Sequence, residues 1–63
     1  MRRRILRLPE VLELTGLSRS TLYRRVEAGE FPQPVKLGGP NSRAVGWLEE
    51  DVSGWLGRLE PRR

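Results

Sequence analysis

Apolar residues recur along this chain in short stripes at helical spacing, separated by glycines and prolines that stop one element and start the next. The first stripe is Leu8, Val11, Leu12 and Thr15, spaced by three and four, with Glu10 and Glu13 on the other side. It predicts a helix over Pro9–Thr15, because Pro9 suits a first helical position and Glu10 favours the positive end of the helix dipole. Gly16 can take the left-handed conformation on which helices commonly end. Ahead of this stripe, Ile5-Leu6-Arg7-Leu8 leaves room for a short strand.

A second helix is predicted at once. Ser18 is a good N-cap, Leu17 before it can pack on Leu22 as a hydrophobic staple, and Arg19 to Ala28 contains no breaker before Gly29. Two helices joined by a short turn around Gly16 follow the helix-turn-helix plan. With Leu22 and Val26 turned inward, an advance of about 100° per residue sends Ser20, Arg24 and Glu27 outward, flanked by Thr21 and Tyr23. Hydroxyl and guanidinium tips thus cluster in the first turns of this helix, where a recognition helix makes its contacts.

Beyond it, each proline in Glu30-Phe31-Pro32-Gln33-Pro34 pushes the preceding residue towards an extended conformation, which makes a rigid connector anchored by Phe31. Val35-Lys36-Leu37 and Ala44-Val45-Gly46-Trp47 read as two short strands around a six-residue loop, Gly38-Gly39-Pro40-Asn41-Ser42-Arg43. Such a projecting hairpin is a wing, here bracketed by Lys36 and Arg43. A third helix starts with Glu49, Glu50 and Asp51 and runs through an apolar seam of Val52, Trp55, Leu56 and Leu59. Gly54 and Gly57 weaken it by about 1 kcal/mol each, so packing around the tryptophans has to hold it. Trp47 and Trp55 fall at apolar positions and are expected in the core rather than as base-stacking platforms.

Composition narrows the chemistry. Sixty-three residues make one domain, expected to span the whole chain, with 1–4 a mobile basic arm and 60–63 a fraying tail. The chain has neither cysteine nor histidine, so disulfides, thiol nucleophiles, imidazole bases and the usual zinc sites are excluded, and no metal or other cofactor is expected. An enzyme is the poorest reading, since no carboxylate pair falls in an evident pocket. No apolar run is long enough for a signal peptide or membrane span, which points to the cytoplasm and the nucleoid. Twelve cations against eight anions give a net charge of +4, and eleven of the twelve are arginines, whose planar fork matches phosphates and the guanine edge. Residues 1–48 hold nine cations and four anions, residues 49–63 three and four, so the basic character lies in the first three-quarters.

The blocks LPEVLELTGLSRSTLYRR, GEFPQPVKLG and AVGWLEEDV, in that order, resemble the AlpA family of prophage regulators, part of the MerR-like and excisionase-like winged helix-turn-helix group. The resemblance covers roughly Ile5 to Leu56. It implies three helices plus a two-stranded wing, and a DNA-binding transcriptional regulator of phage or mobile-element genes. On it, Ser18, Arg19, Ser20, Thr21, Tyr23 and Arg24 lie on the recognition helix and Lys36 to Arg43 correspond to the wing. The loop departs from the pattern by its length. The dimerising helix and effector domain that follow this unit in full-length MerR proteins are absent from the sequence, so no small-molecule effector is expected.

The partner expected is double-stranded DNA, with the second helix in the major groove and the wing over the adjacent backbone or minor groove. Candidate contacts are Ser18, Arg19, Ser20, Thr21, Tyr23, Arg24 and Arg25 on the helix and Lys36, Asn41, Ser42 and Arg43 on the wing, with Arg24 the base reader. For Arg19 and Arg25, phosphate contact and a salt bridge to a glutamate are equal alternatives, as are phosphate contact and core sealing for Tyr23. Arg2 to Arg4 would serve as non-specific glue for phosphates or the minor groove. Dimeric or cooperative binding on DNA stays open, since no coiled-coil heptad is present. The alternatives are an excisionase-type directionality factor that bends DNA with the same surface and, from another class, a protein-interaction module such as an anti-repressor.

Overall fold

The computed structural model describes residues 3–61, which form three helices and a small three-stranded antiparallel sheet. Helix α1, Leu8–Thr15, begins one residue before the expected start, because the backbone N–H of Arg7 donates to Glu10 Oε1 at 3.3 Å and closes the first turn there. Gly16 ends it with φ 74°, its N–H donating to the carbonyl of Leu12 at 2.8 Å, a conformation in which any other L-residue is strained. The Thr15 hydroxyl donates to the Val11 carbonyl at 2.8 Å and accepts from the Leu17 N–H at 3.3 Å, which fixes the path out of the turn.

Helix α2, Arg19–Glu27, then begins at Ser18, whose Oγ accepts from the Thr21 N–H at 3.2 Å. The helix stops at Glu27 rather than Ala28. Gly29, at φ 76°, donates to Val26, and Glu30 donates to Arg25 at 2.8 Å, the paired bonds of a Schellman ending.

Strands β1 (Ile5–Leu6), β2 (Val35–Lys36) and β3 (Val45–Leu48) form a sheet in the order β1-β3-β2. The hairpin expected on its own is therefore two-thirds of a larger sheet. Its second strand runs to Leu48 and pairs on its far side with the N-terminal strand, Ile5 opposite Leu48 and Leu6 opposite Trp47. On the near side Val35 faces Gly46 and Lys36 faces Val45. Leu37 and Ala44 fall outside the strands, although the Leu37 N–H still donates to Ala44 at 2.9 Å and closes the six-residue loop. Gly46 sits where the strands crowd: a Cβ there would lie 2.5 Å from Ile5 Cγ2 and 3.0 Å from the Leu6 carbonyl oxygen.

Leu6, Val11, Leu22, Val26, Phe31, Trp47 and Val52 form the buried core, one or more from nearly every element. Trp47 is its largest member, and its indole N–H donates to the Pro32 carbonyl at 2.9 Å, so burying the ring leaves no polar atom unpaired. Helix α3, Glu49–Gly57, packs Val52, Trp55 and Leu56 against this core. Trp55 meets Phe31 edge-on at 4.8 Å and donates to the Glu30 carbonyl at 2.9 Å. The expected seam is shorter at its end: α3 stops at Gly57, and Leu59 is 56% exposed.

The mobile arm expected through Arg4 is also corrected. The Arg4 carbonyl accepts from the Glu49 N–H at 2.8 Å, and its guanidinium donates to Glu49 Oε2 at 2.9 Å and Glu10 Oε2 at 3.3 Å. Arg4 thus ties the start of α1 to the start of α3. Arg3 of the same arm stands 3.7 Å from Glu50, while Met1 and Arg2 lie outside the described residues, as do Arg62 and Arg63 of the tail.

Candidate nucleic-acid interface

Helix α2 presents a polar outer face because its two apolar anchors stand four apart. Leu22 and Val26 are buried; Ser20, Arg24 and Glu27 are exposed and fall within about 60° of one line along the helix. Two flanks border this line. On one, Tyr23 lays its ring against Trp47, centroids 6.3 Å apart, and still exposes 36% of its surface. It therefore packs on the core and reaches solvent together, and the two readings of this residue are not exclusive. On the other, Thr21, Arg24, Arg25 and Ala28 line a shallow notch of about 260 Å³ that ends at Glu30.

The hairpin lies on the Tyr23 side. Val45 and Trp47 share one face of β3, and Lys36 stands opposite Val45, so Lys36 projects from the same face of the sheet on which Tyr23 rests. At the tip, the Ser42 N–H donates to the Gly39 carbonyl at 2.9 Å and the Ser42 hydroxyl accepts from the Ala44 N–H at 3.1 Å. Ser42 shapes the loop, while Asn41 and Arg43 on either side of it are exposed.

At the start of α2, the Ser18 hydroxyl donates to Thr21 Oγ1 at 2.9 Å while capping the helix, so both side chains are engaged with each other. The Arg19 and Ser20 amides, first in the helix, have no intrahelical acceptor and point out of its positive end. Among the described residues the ion pairs are Arg3–Glu50 at 3.7 Å, Arg4–Glu10 at 3.3 Å and Arg4–Glu49 at 2.9 Å. Arg19, Arg24, Arg25, Lys36 and Arg43 take part in none of them, so the salt-bridge alternative for Arg19 and Arg25 is not realised. Sequence reasoning missed the Arg4 clamp, which joins residues 45 apart in the chain. It also gave Glu27 a place on the outer face without assigning it a role.

Two helices in quick succession, followed by a cation-bearing hairpin and a third helix, are consistent with the helix-turn-helix plan. The family model described as Prophage CP4-57 regulatory protein (AlpA) matches residues 4–60, and the chain belongs to the AlpA family. It is 51% identical over 61 residues to "Uncharacterized protein ORF88" of Enterobacteria phage P4, a match that covers 95% of this chain and 66% of the phage protein. It is 40% identical over 60 residues to "DNA-binding transcriptional activator AlpA" of Escherichia coli (strain K12), covering 84% of this chain and 80% of the relative. No solved structure matches the chain at a significant level. No helix among the described residues is long and apolar enough to cross a membrane.

Proposed function

We propose that this chain is a single winged helix-turn-helix domain that binds double-stranded DNA and regulates transcription of phage or mobile-element genes. Helix α2 enters the major groove and the β2–β3 hairpin lies over the adjacent backbone or minor groove. The observation that carries this reading is the cluster of cations on α2 and the hairpin: Arg19, Arg24, Arg25, Lys36 and Arg43 join none of the ion pairs among the described residues, nor do Arg7 and Arg58 elsewhere, whereas Arg3 and Arg4 stand against carboxylates. Five unpaired cations on α2 and the hairpin fit a polyanion, and the family and the printed function of the Escherichia coli relative make that polyanion DNA.

In this reading Arg24 takes guanine O6 and N7 from the middle of the outer face, and Ser20 works beside it. The Arg19 and Ser20 amides receive a backbone phosphate at the positive end of the helix, and Thr21 and Arg25 hold another along the notch. The Tyr23 hydroxyl and Lys36 face the strand on the hairpin side, and Asn41 and Arg43 extend the contact at the tip. Ser18 and Ser42 act through the backbone they shape. The test is sequence selection from a random duplex library with the purified protein at two salt concentrations. A defined motif whose affinity falls steeply with salt is expected. Enrichment of no motif, with salt-independent binding, would overturn the reading, and strong bending of the selected site would move it towards the excisionase-type alternative.

A further inference from the structure

Glu27 is out of place by the rules that govern the rest of α2. It is the last residue of the helix, where the dipole disfavours a negative charge and where Arg24 and Arg25 are the favoured kind of neighbour. Its carboxylate joins none of the ion pairs among the described residues, although Arg24 stands three positions before it on the same exposed line. Nor does it cover the core: it is exposed, on the side away from Leu22 and Val26. Local stability and packing therefore supply no reason for an acid at this point.

Resting on the reading of α2 as the DNA-facing helix, we infer that Glu27 is a second base-reading residue and that it selects cytosine. On a face meant for a polyanion, a carboxylate is repelled by phosphates and by the acceptor-rich edge of guanine. The partner that suits it is the exocyclic amino group of cytosine, a donor displayed in the major groove. Helical positions three or four apart address successive base pairs when a helix lies in that groove, and Ser20, Arg24 and Glu27 have this spacing. Arg24 and Glu27 then form a two-letter reader, the guanidinium choosing guanine and the carboxylate choosing cytosine next to it. The acid also works by exclusion: guanine and thymine face it with acceptors, and adenine sets its N7 acceptor beside its amino donor, whereas cytosine offers the donor alone.

The experiment is library selection with the full chain as wild type, Glu27→Gln, Glu27→Ala and Arg24→Ala, each first checked for an unchanged thermal melt. The wild type is expected to enrich a site with cytosine preferred about tenfold at one position, a difference of about 1.4 kcal/mol. Glu27→Ala should level that position and leave the Arg24-dependent guanine intact. Glu27→Gln should move the preference from cytosine to adenine, since a carboxamide pairs with adenine N6 and N7. If both Glu27 variants enrich the wild-type motif while Arg24→Ala alters it, the role of Glu27 is refuted and the DNA reading stands. A preference at the affected position for any base but cytosine in the wild type also refutes it. If the wild type enriches no motif, the DNA reading falls and the inference falls with it.

Discussion

Arginine does two different jobs at the two ends of this small domain. At the start of α1 and α3, Arg4 is held by Glu10 and Glu49 and Arg3 stands 3.7 Å from Glu50, so positive charge is cancelled where it is placed. On α2 and the hairpin, Arg19, Arg24, Arg25, Lys36 and Arg43 have no carboxylate partner among the described residues. The difference teaches that a net charge of +4 is a poor description of the molecule. Acids in the first turns of α1 and α3 hold Arg3 and Arg4; of the seven other cations among the described residues, five stand on α2 and the hairpin, and Arg7 and Arg58 stand elsewhere.

The strongest way to break the comparison is to remove what both regions stand on. Trp47 pairs with Leu6 in the sheet, supports Tyr23 on α2 and donates to Pro32. Trp47→Ala should cost about 3–5 kcal/mol, enough to unfold a domain of this size at room temperature. Far-ultraviolet circular dichroism reads it directly, and a melt within a few degrees of the parent would mean that the two ends are held independently. Next in size, Arg24→Ala should leave the melt unchanged, within about 0.5 kcal/mol, and lose about 1–3 kcal/mol of discrimination between DNA sequences. If Arg24→Ala destabilised the fold and kept its motif, Arg24 would belong with Arg4 and the division would dissolve.

Much of this was legible in the residues because it is local. Gly16 as a stop, Ser18 as a cap, Leu22 and Val26 as anchors and Phe31 as the fixed point of the connector each follow from neighbours within one or two turns. The outer face of α2 was readable for the same reason. Long-range pairing was not. Two residues, Ile5 and Leu6, carry too short a pattern to announce that they complete a sheet with β3, and the Arg4 clamp joins positions that only this pairing brings together. The need for glycine at position 46 appears only when Ile5 is laid against it. Leu59 continues the apolar spacing of α3, yet the helix ends before it and nothing among the described residues covers it.

The smaller predictions set the two kinds of arginine side by side. Arg43→Ala should lower the slope of log affinity against log salt by about one, equivalent to about a 3.5-fold loss in the affinity drop between 50 and 200 mM salt, with all sequences affected alike. An unchanged slope in a titration over that range would take the loop tip off the DNA. Arg4→Ala removes the same charge from the other end, and its expected signature is the reverse. Its side chain is 62% exposed, so its two ion pairs are screened and should contribute no more than about 1 kcal/mol to stability. Since Glu10 and Glu49 already cancel its field, DNA affinity should stay within about twofold of the parent and the salt slope should move by well under about one unit. A full unit lost from the slope on Arg4→Ala would show that the clamp opens on DNA and releases its arginine to a phosphate. Glu49→Gln would then be expected to tighten binding, because it loosens the hold on Arg4.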